Sequence, residues 1–157
     1  MDDIQSIAVE NLTVTGGQTL TADYAPTSKS FAVSSKVSLQ FQVDYTPHAS
    51  AAPYADTKYL ECYIEYTFEK DTQGTAGHSI PAAASWRAYT EELDNGDNSS
   101  SFFVRTFRVY SDNVENQDRA PLFTRPLLVR RARLQVKEVG VSPNFGTVAV
   151  RATAQAI

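Results

Sequence analysis

Lys36-Val37-Ser38-Leu39-Gln40-Phe41-Gln42-Val43-Asp44-Tyr45 alternates polar and apolar side chains without a break. Successive side chains of a β-strand point to opposite faces, so Val37, Leu39, Phe41, Val43 and Tyr45 make one face oily and the residues between them make the other wet. The same period-two pattern recurs in the segments 59–69, 101–111, 127–139 and 145–157. Such repetition predicts an all-β fold, with antiparallel sheets layered around one core. About eight strands with long end loops fit a two-sheet sandwich, jelly-roll-like or immunoglobulin-like, although the Cys, Trp, Cys pattern of true immunoglobulin domains is missing.

Outward from that segment, the chain reads as strands separated by loops. The stretch 1–30 is rich in Thr, Ser and Gln, and Ile7, Val9, Leu12, Val14, Leu20, Ala22 and Tyr24 suit two short strands around the turn signal Gly16-Gly17. An extended arm pairing with a neighbouring subunit is the competing expectation, because an open strand edge templates another chain. Pro47 and Pro53 mark a loop over 46–58, after which 59–69 places Leu60, Cys62, Ile64, Tyr66 and Phe68 on one face and Tyr59, Glu61, Tyr63, Glu65 and Glu69 on the other. A short strand carrying Trp86 and the turn Asp94-Asn95-Gly96-Asp97 predict a hairpin. The segment 102–110 is apolar on both faces, which predicts cover from a loop or a second subunit. Leu122 and Phe123 interrupt a long polar connection and either tuck under the sandwich or project to a partner. The segments 127–139 and 145–157, joined through 140–144, read as a closing hairpin with Val148, Val150, Ala152, Ala154 and Ala156 on its buried face.

Length and composition bound the rest. A chain of 157 residues fits a single domain, and 42% hydrophobic with 20% charged residues argues against disorder. The lone Cys62 excludes an intrachain disulfide and sits on the apolar face of its strand, as a small core hydrophobe. Met1 is followed by Asp2 and Asp3, with neither a basic n-region nor an apolar h-region, and no run approaches the roughly 18 apolar residues of a membrane span. Folding in a reducing cytoplasm, without membrane contact, is the expectation. In that setting the triplets Asn11-Leu12-Thr13 and Asn98-Ser99-Ser100 carry no weight as glycosylation sites.

Residue chemistry points away from catalysis and cofactors. His48 and His78 lie in separate loops and lack the close cluster of ligands that zinc requires. No Gly-x-Ser-x-Gly elbow exposes a serine. Glu61, Glu65 and Glu69 share a strand face, but acid and base roles need a cleft and separated pKa values, so a wet face or an interface is the simpler expectation. Asp94, Asn95, Asp97 and Asn98 offer oxygens to calcium, yet the spacing puts Phe102 where an EF-hand needs its bidentate glutamate.

Charge is unevenly spread. Residues 1–80 hold four Lys, no Arg and ten acids, whereas 81–157 hold nine Arg, one Lys and eight acids, so formal charges of −6 and +2 make up the net −4. The acidic total and the lack of an aromatic-flanked basic motif disfavour nucleic acid. Arg105, Arg108, Arg130, Arg131, Arg133 and Arg151 all come from the last three strong strands, and neighbouring strands would gather them on one face or rim. Arginine is enriched in protein interfaces, and the acid-rich first half of another copy would complement it. With Tyr59, Tyr63, Leu122 and Phe123, these arginines form the candidate interface.

The Thr/Ser-rich start, the alternating strands 36–45 and 59–69 and the closing segment 131–154 together resemble the small β-sandwich accessory proteins of tailed-phage virions, the capsid decoration or cement class. The resemblance is one of overall style across the chain and transfers no site residues. It implies a non-enzymatic virion structural protein, made in the host cytoplasm, that forms trimers or other homo-oligomers and bridges major capsid protein subunits. The second expectation is a carbohydrate-binding or receptor-binding module of a phage tail, with Tyr45, Tyr54, Tyr59, Tyr63 or Trp86 stacking on sugars. A small glycosidase, resting on the glutamate strand, is the third.

Overall fold

Alternation becomes layering in the computed structural model, which describes residues 7–32, 38–51, 57–67, 86–94, 96, 100–110, 117–119, 122–123 and 131–155. In chain order the strands are β1 (Ile7–Asn11), β2 (Gln18–Thr19), β3 (Ala25–Pro26), β4 (Phe31–Ala32), β5 (Ser38–Thr46), β6 (Tyr59–Thr67), β7 (Arg87–Ala88), β8 (Thr90–Asp94), β9 (Ser100–Val104), β10 (Thr106–Val109), β11 (Gln117–Arg119), β12 (Leu122–Phe123), β13 (Arg131–Val139) and β14 (Thr147–Gln155). The protein is all-β, as its periodicity predicts. One 3-10 turn, Ala49–Ala51, is the sole helical element among the described residues.

Two antiparallel sheets share one plan. In the first, long β5 and β14 form the centre, with β1 and β2 along the free side of β14 and β11 and β12 along the free side of β5. In the second, long β6 and β13 form the centre, with β10 and β7 flanking β6 and β3 and β4 flanking β13. Short, interrupted edge strands leave little continuous edge for a foreign strand to pair with. The N-terminal β1 pairs with β14 of its own chain over Ile7–Asn11.

The apolar faces of the four long strands meet in the core. Leu39, Phe41, Val43 and Tyr45 of β5 and Val148, Val150 and Ala152 of β14 are buried with Leu60, Cys62 and Ile64 of β6 and Ala132, Leu134 and Val136 of β13. Cys62 is the small core residue its strand position predicts. Leu12, Leu20 and Phe31 from the N-terminal strands and their connections join the same cluster. One polar bridge spans the two sheets within this core. Glu138 of β13 accepts from the Tyr45 hydroxyl at 2.5 Å and from the Gly146 amide at 2.7 Å, so neither carboxylate oxygen is left without a donor.

Three sequence expectations are corrected. The closing hairpin does not form as a pair, because β13 ladders with β6 and β14 ladders with β5 in the other sheet. The connection 140–146 instead carries the chain from one layer to the other, with Gly140 at φ +80°, and a Cβ there would collide with the Thr57 carbonyl. The segment 101–111 is not one strand either. Pairing breaks at Arg105: β9 ladders with β8 as a separate two-stranded ribbon, and β10 returns to β6, where Val109 is buried and Phe107 packs on the core. Finally, Tyr45, a candidate sugar-stacking residue, lies fully inside the sandwich. Residues 68–69 and 127–130, read as strand ends from sequence, lie outside the described residues.

Candidate interaction surfaces

Register decides where the charged side chains go. The outward face of β6 carries Tyr59, Glu61, Tyr63 and Glu65, and the ladder with β13 sets Arg133 beside Glu65 and Lys137 beside Glu61. On its other side, β10 brings Arg108 to Glu61. Arg133 Nε meets Glu65 Oε2 at 2.8 Å, Gln135 Nε2 donates to the same oxygen at 3.0 Å, and the guanidinium lies 4.1 Å from the centre of the Trp86 ring. The two charged side chains are only 9% and 11% exposed, so this is a buried pair. Glu61 sits between Lys137 Nζ at 3.4 Å and Arg108 Nε at 3.8 Å. The acids of the first half therefore meet the cations of the second within one chain.

The single arginine face expected from the sequence divides into separate places. Arg131 is buried and donates to Ser30 through Nε at 2.6 Å and Nη2 at 3.0 Å, tying β13 to the segment before β4. Arg105 pairs with both oxygens of Glu91 at 3.0 Å beside the ribbon, and Arg108 stacks 4.4 Å from the Tyr59 ring centre. Arg151 stands on the outer face of the other sheet, donating to Asn11 Oδ1 at 3.3 Å. Arg130 lies outside the described residues. The strands do neighbour one another in part, but β14 belongs to the opposite layer, which is why its arginine parts company with the rest.

Aromatic residues interleave these charges on the β6 face. Tyr63 meets Tyr24 edge to face at 4.8 Å, Lys137 lies over Tyr24, and Tyr59 packs against Tyr110 at 5.5 Å. Burial, followed by the Glu61 charge, raises the Tyr24 hydroxyl above its ordinary pKa. Burial and Glu65 raise Tyr63, with Arg133 opposing them. Trp86 is buried under Arg133, so it presents no open platform to a sugar, and Tyr54 lies outside the described residues. Glu61 and Glu65 are held as partners of cations on a sheet face, and Glu69 lies outside the described residues.

Exposed apolar surface concentrates on the β8–β9 ribbon. Phe102 is 69% exposed, Phe103 44% and Val104 41%. Neighbouring strand residues point to opposite sides, so β9 exposes apolar side chains on both faces of the ribbon. The two-sided apolarity of 102–110 was legible in the sequence, and in β9 none of the described residues buries Phe102, Phe103 or Val104. Gly96, at φ +77°, lies in the turn between the strands. Leu122 and Phe123 pair by backbone with Gln40 and Leu39 at the edge of β5; their side chains lie outside the described residues.

A groove of about 750 Å³ lies on the outer face of the first sheet. Its floor is Gln42, Asp44 and Thr46 of β5 beside Thr147, Ala149 and Arg151 of β14; Asn11, Lys29 and the turn 13–17 stand beside it. These residues come from four distant segments, so no local motif announces them. Among the described residues, no group of three or more His, Cys, Asp or Glu side chains comes together to hold a metal ion, and no helix is long and apolar enough to cross a membrane. His48 Nδ1 accepts the Ser50 amide at 3.0 Å, and His78 lies outside the described residues. No protein-family model, curated protein or solved structure matches the chain.

Proposed function

We propose that this chain is a non-enzymatic structural protein of a phage virion, one that decorates or cements the capsid by binding the major capsid protein and further copies of itself. The observation that carries the protein-binding part is the β8–β9 ribbon, whose Phe102, Phe103 and Val104 stay in water on both sides. Leaving such surface wet costs about 25 cal/mol for each Å² that a partner would bury, which is a driving force for association. Aromatic residues dominate the energetics of protein interfaces, and a ribbon free of both main sheets can be inserted without disturbing the core. The virion setting rests on the overall style shared with tailed-phage accessory proteins.

Co-sedimentation with capsid shells tests the proposal. The wild-type chain is expected in the pellet and a Phe102→Ser/Phe103→Ser variant in the supernatant. Neither side chain belongs to the core cluster, so the variant is expected to keep the wild-type far-UV circular dichroism spectrum. A wild-type chain that stays monomeric at high concentration and in the supernatant beside shells overturns the proposal.

A further inference from the structure

We infer that the groove on the outer face of the first sheet is a binding site for an acidic sugar unit, a polyhydroxylated ring bearing one carboxylate. At about 750 Å³ it falls within the range of small-molecule sites, which run from about 300 to 1,000 Å³. Ala149 has the smallest side chain among the floor residues and is flanked by Asp44 across the ladder and by Thr147 and Arg151 along β14. Hydroxyl, amide and carboxylate groups line it beside small apolar ones, and no aromatic ring is among the described lining residues, so a neutral sugar held by stacking is a poor fit.

Charge narrows the ligand. Among the described lining residues, Lys29 and Arg151 supply two cations beside the one anion of Asp44. Arg151 is steadied by Asn11 Oδ1 at 3.3 Å, and its planar fork suits a carboxylate. The Asp44 carboxylate accepts hydrogen bonds from hydroxyl groups, and Gln42 both donates and accepts, which matches the alternating donors and acceptors of a sugar ring. A nucleic acid would bring phosphates against Asp44 and find no ring among the described lining residues on which to stack a base. An extended peptide would gain no ladder, because β5 and β14 are already paired to each other along the floor.

The groove and the ribbon are independent. The ribbon lies in the chain between β7 and β10, both on the free side of β6, whereas the groove belongs to the opposite sheet, so loss of capsid binding and loss of sugar binding are separable results.

Titration calorimetry on the full chain with glucuronate, glucose and acetate tests the site. Glucuronate is expected to bind at least about tenfold more tightly than either glucose or acetate, since the site reads ring hydroxyls and carboxylate together. Arg151→Gln should weaken glucuronate about tenfold or more. Ala149→Leu fills the floor and should abolish binding with the unfolding midpoint unchanged, because Ala149 is exposed. No heat from glucuronate, equal affinity for glucose and glucuronate, or full binding by Ala149→Leu would each overturn the assignment.

Discussion

Arg133 and Arg105 show how differently one residue type behaves in this chain. Arg133 is enclosed by Glu65, Gln135 and the Trp86 ring, whereas Arg105 reaches Glu91 in a pair that is 54% and 31% exposed. Removing one partner of a buried pair strands the other charge, which costs about 3 kcal/mol or more, while an exposed pair contributes less than about 1 kcal/mol. Arg133→Ala is therefore expected to lower the urea midpoint strongly and Arg105→Ala hardly at all, followed by far-UV circular dichroism because Trp86 fluorescence itself senses Arg133. Equal losses in the two variants would contradict this account. The sequence shows both arginines on strand faces. It does not show that one strand is covered by Trp86 and that the other borders an open ribbon, since cover comes from segments far away in the chain.

Among the elements, the central strands and the ribbon mark the extremes. Each of β5, β14, β6 and β13 is laddered on both sides and contributes buried side chains to the core. Among the described residues β8 and β9 ladder only with each other, and the large side chains of β9 are wet. Local opening is easiest where few apolar contacts must be broken, so the ribbon amides are expected to show at least about a hundredfold less protection from hydrogen exchange than those of β6 and β13. Comparable protection in both, measured on the isolated chain, would mean that the ribbon is held as firmly as the central strands and would overturn this prediction. In bound assemblies the same amides should become slow, which ties the measurement to the proposed docking role. The hairpin turn around Gly96 was legible from its residues, because positive φ is a local demand. Separation of β9 from β10 was not, since one alternating run serves two different ladders without changing its period.

For the whole molecule, the enclosed core makes stability depend on alkaline pH. Burial, followed by the nearby Glu61 charge, pushes the Cys62 thiol up to about 12 from 9.0, and burial also raises Tyr24 and Tyr63. Between those values the unfolded chain releases the thiol proton while the folded chain keeps it, so the contribution is complete below about pH 9 and is lost as pH climbs toward 12, by about 1.4 kcal/mol per unit. The stability advantage of the wild type over Cys62→Ala should accordingly shrink between pH 9 and 11 in denaturant titrations; a constant difference would rule this linkage out. By itself the sequence determined that the protein is all-β, which face of each long strand is buried, and that acids and arginines are segregated along the chain. Tertiary structure alone decided that β13 pairs with β6 rather than with β14, that the segregated charges neutralise one another inside a single chain, and that residues from four distant segments border one groove. The reason is physical: side-chain period sets the direction a residue faces and is encoded locally, whereas backbone ladders are chemically alike for any two strands. Partner and register are therefore chosen by the packing of the two sheets as a unit.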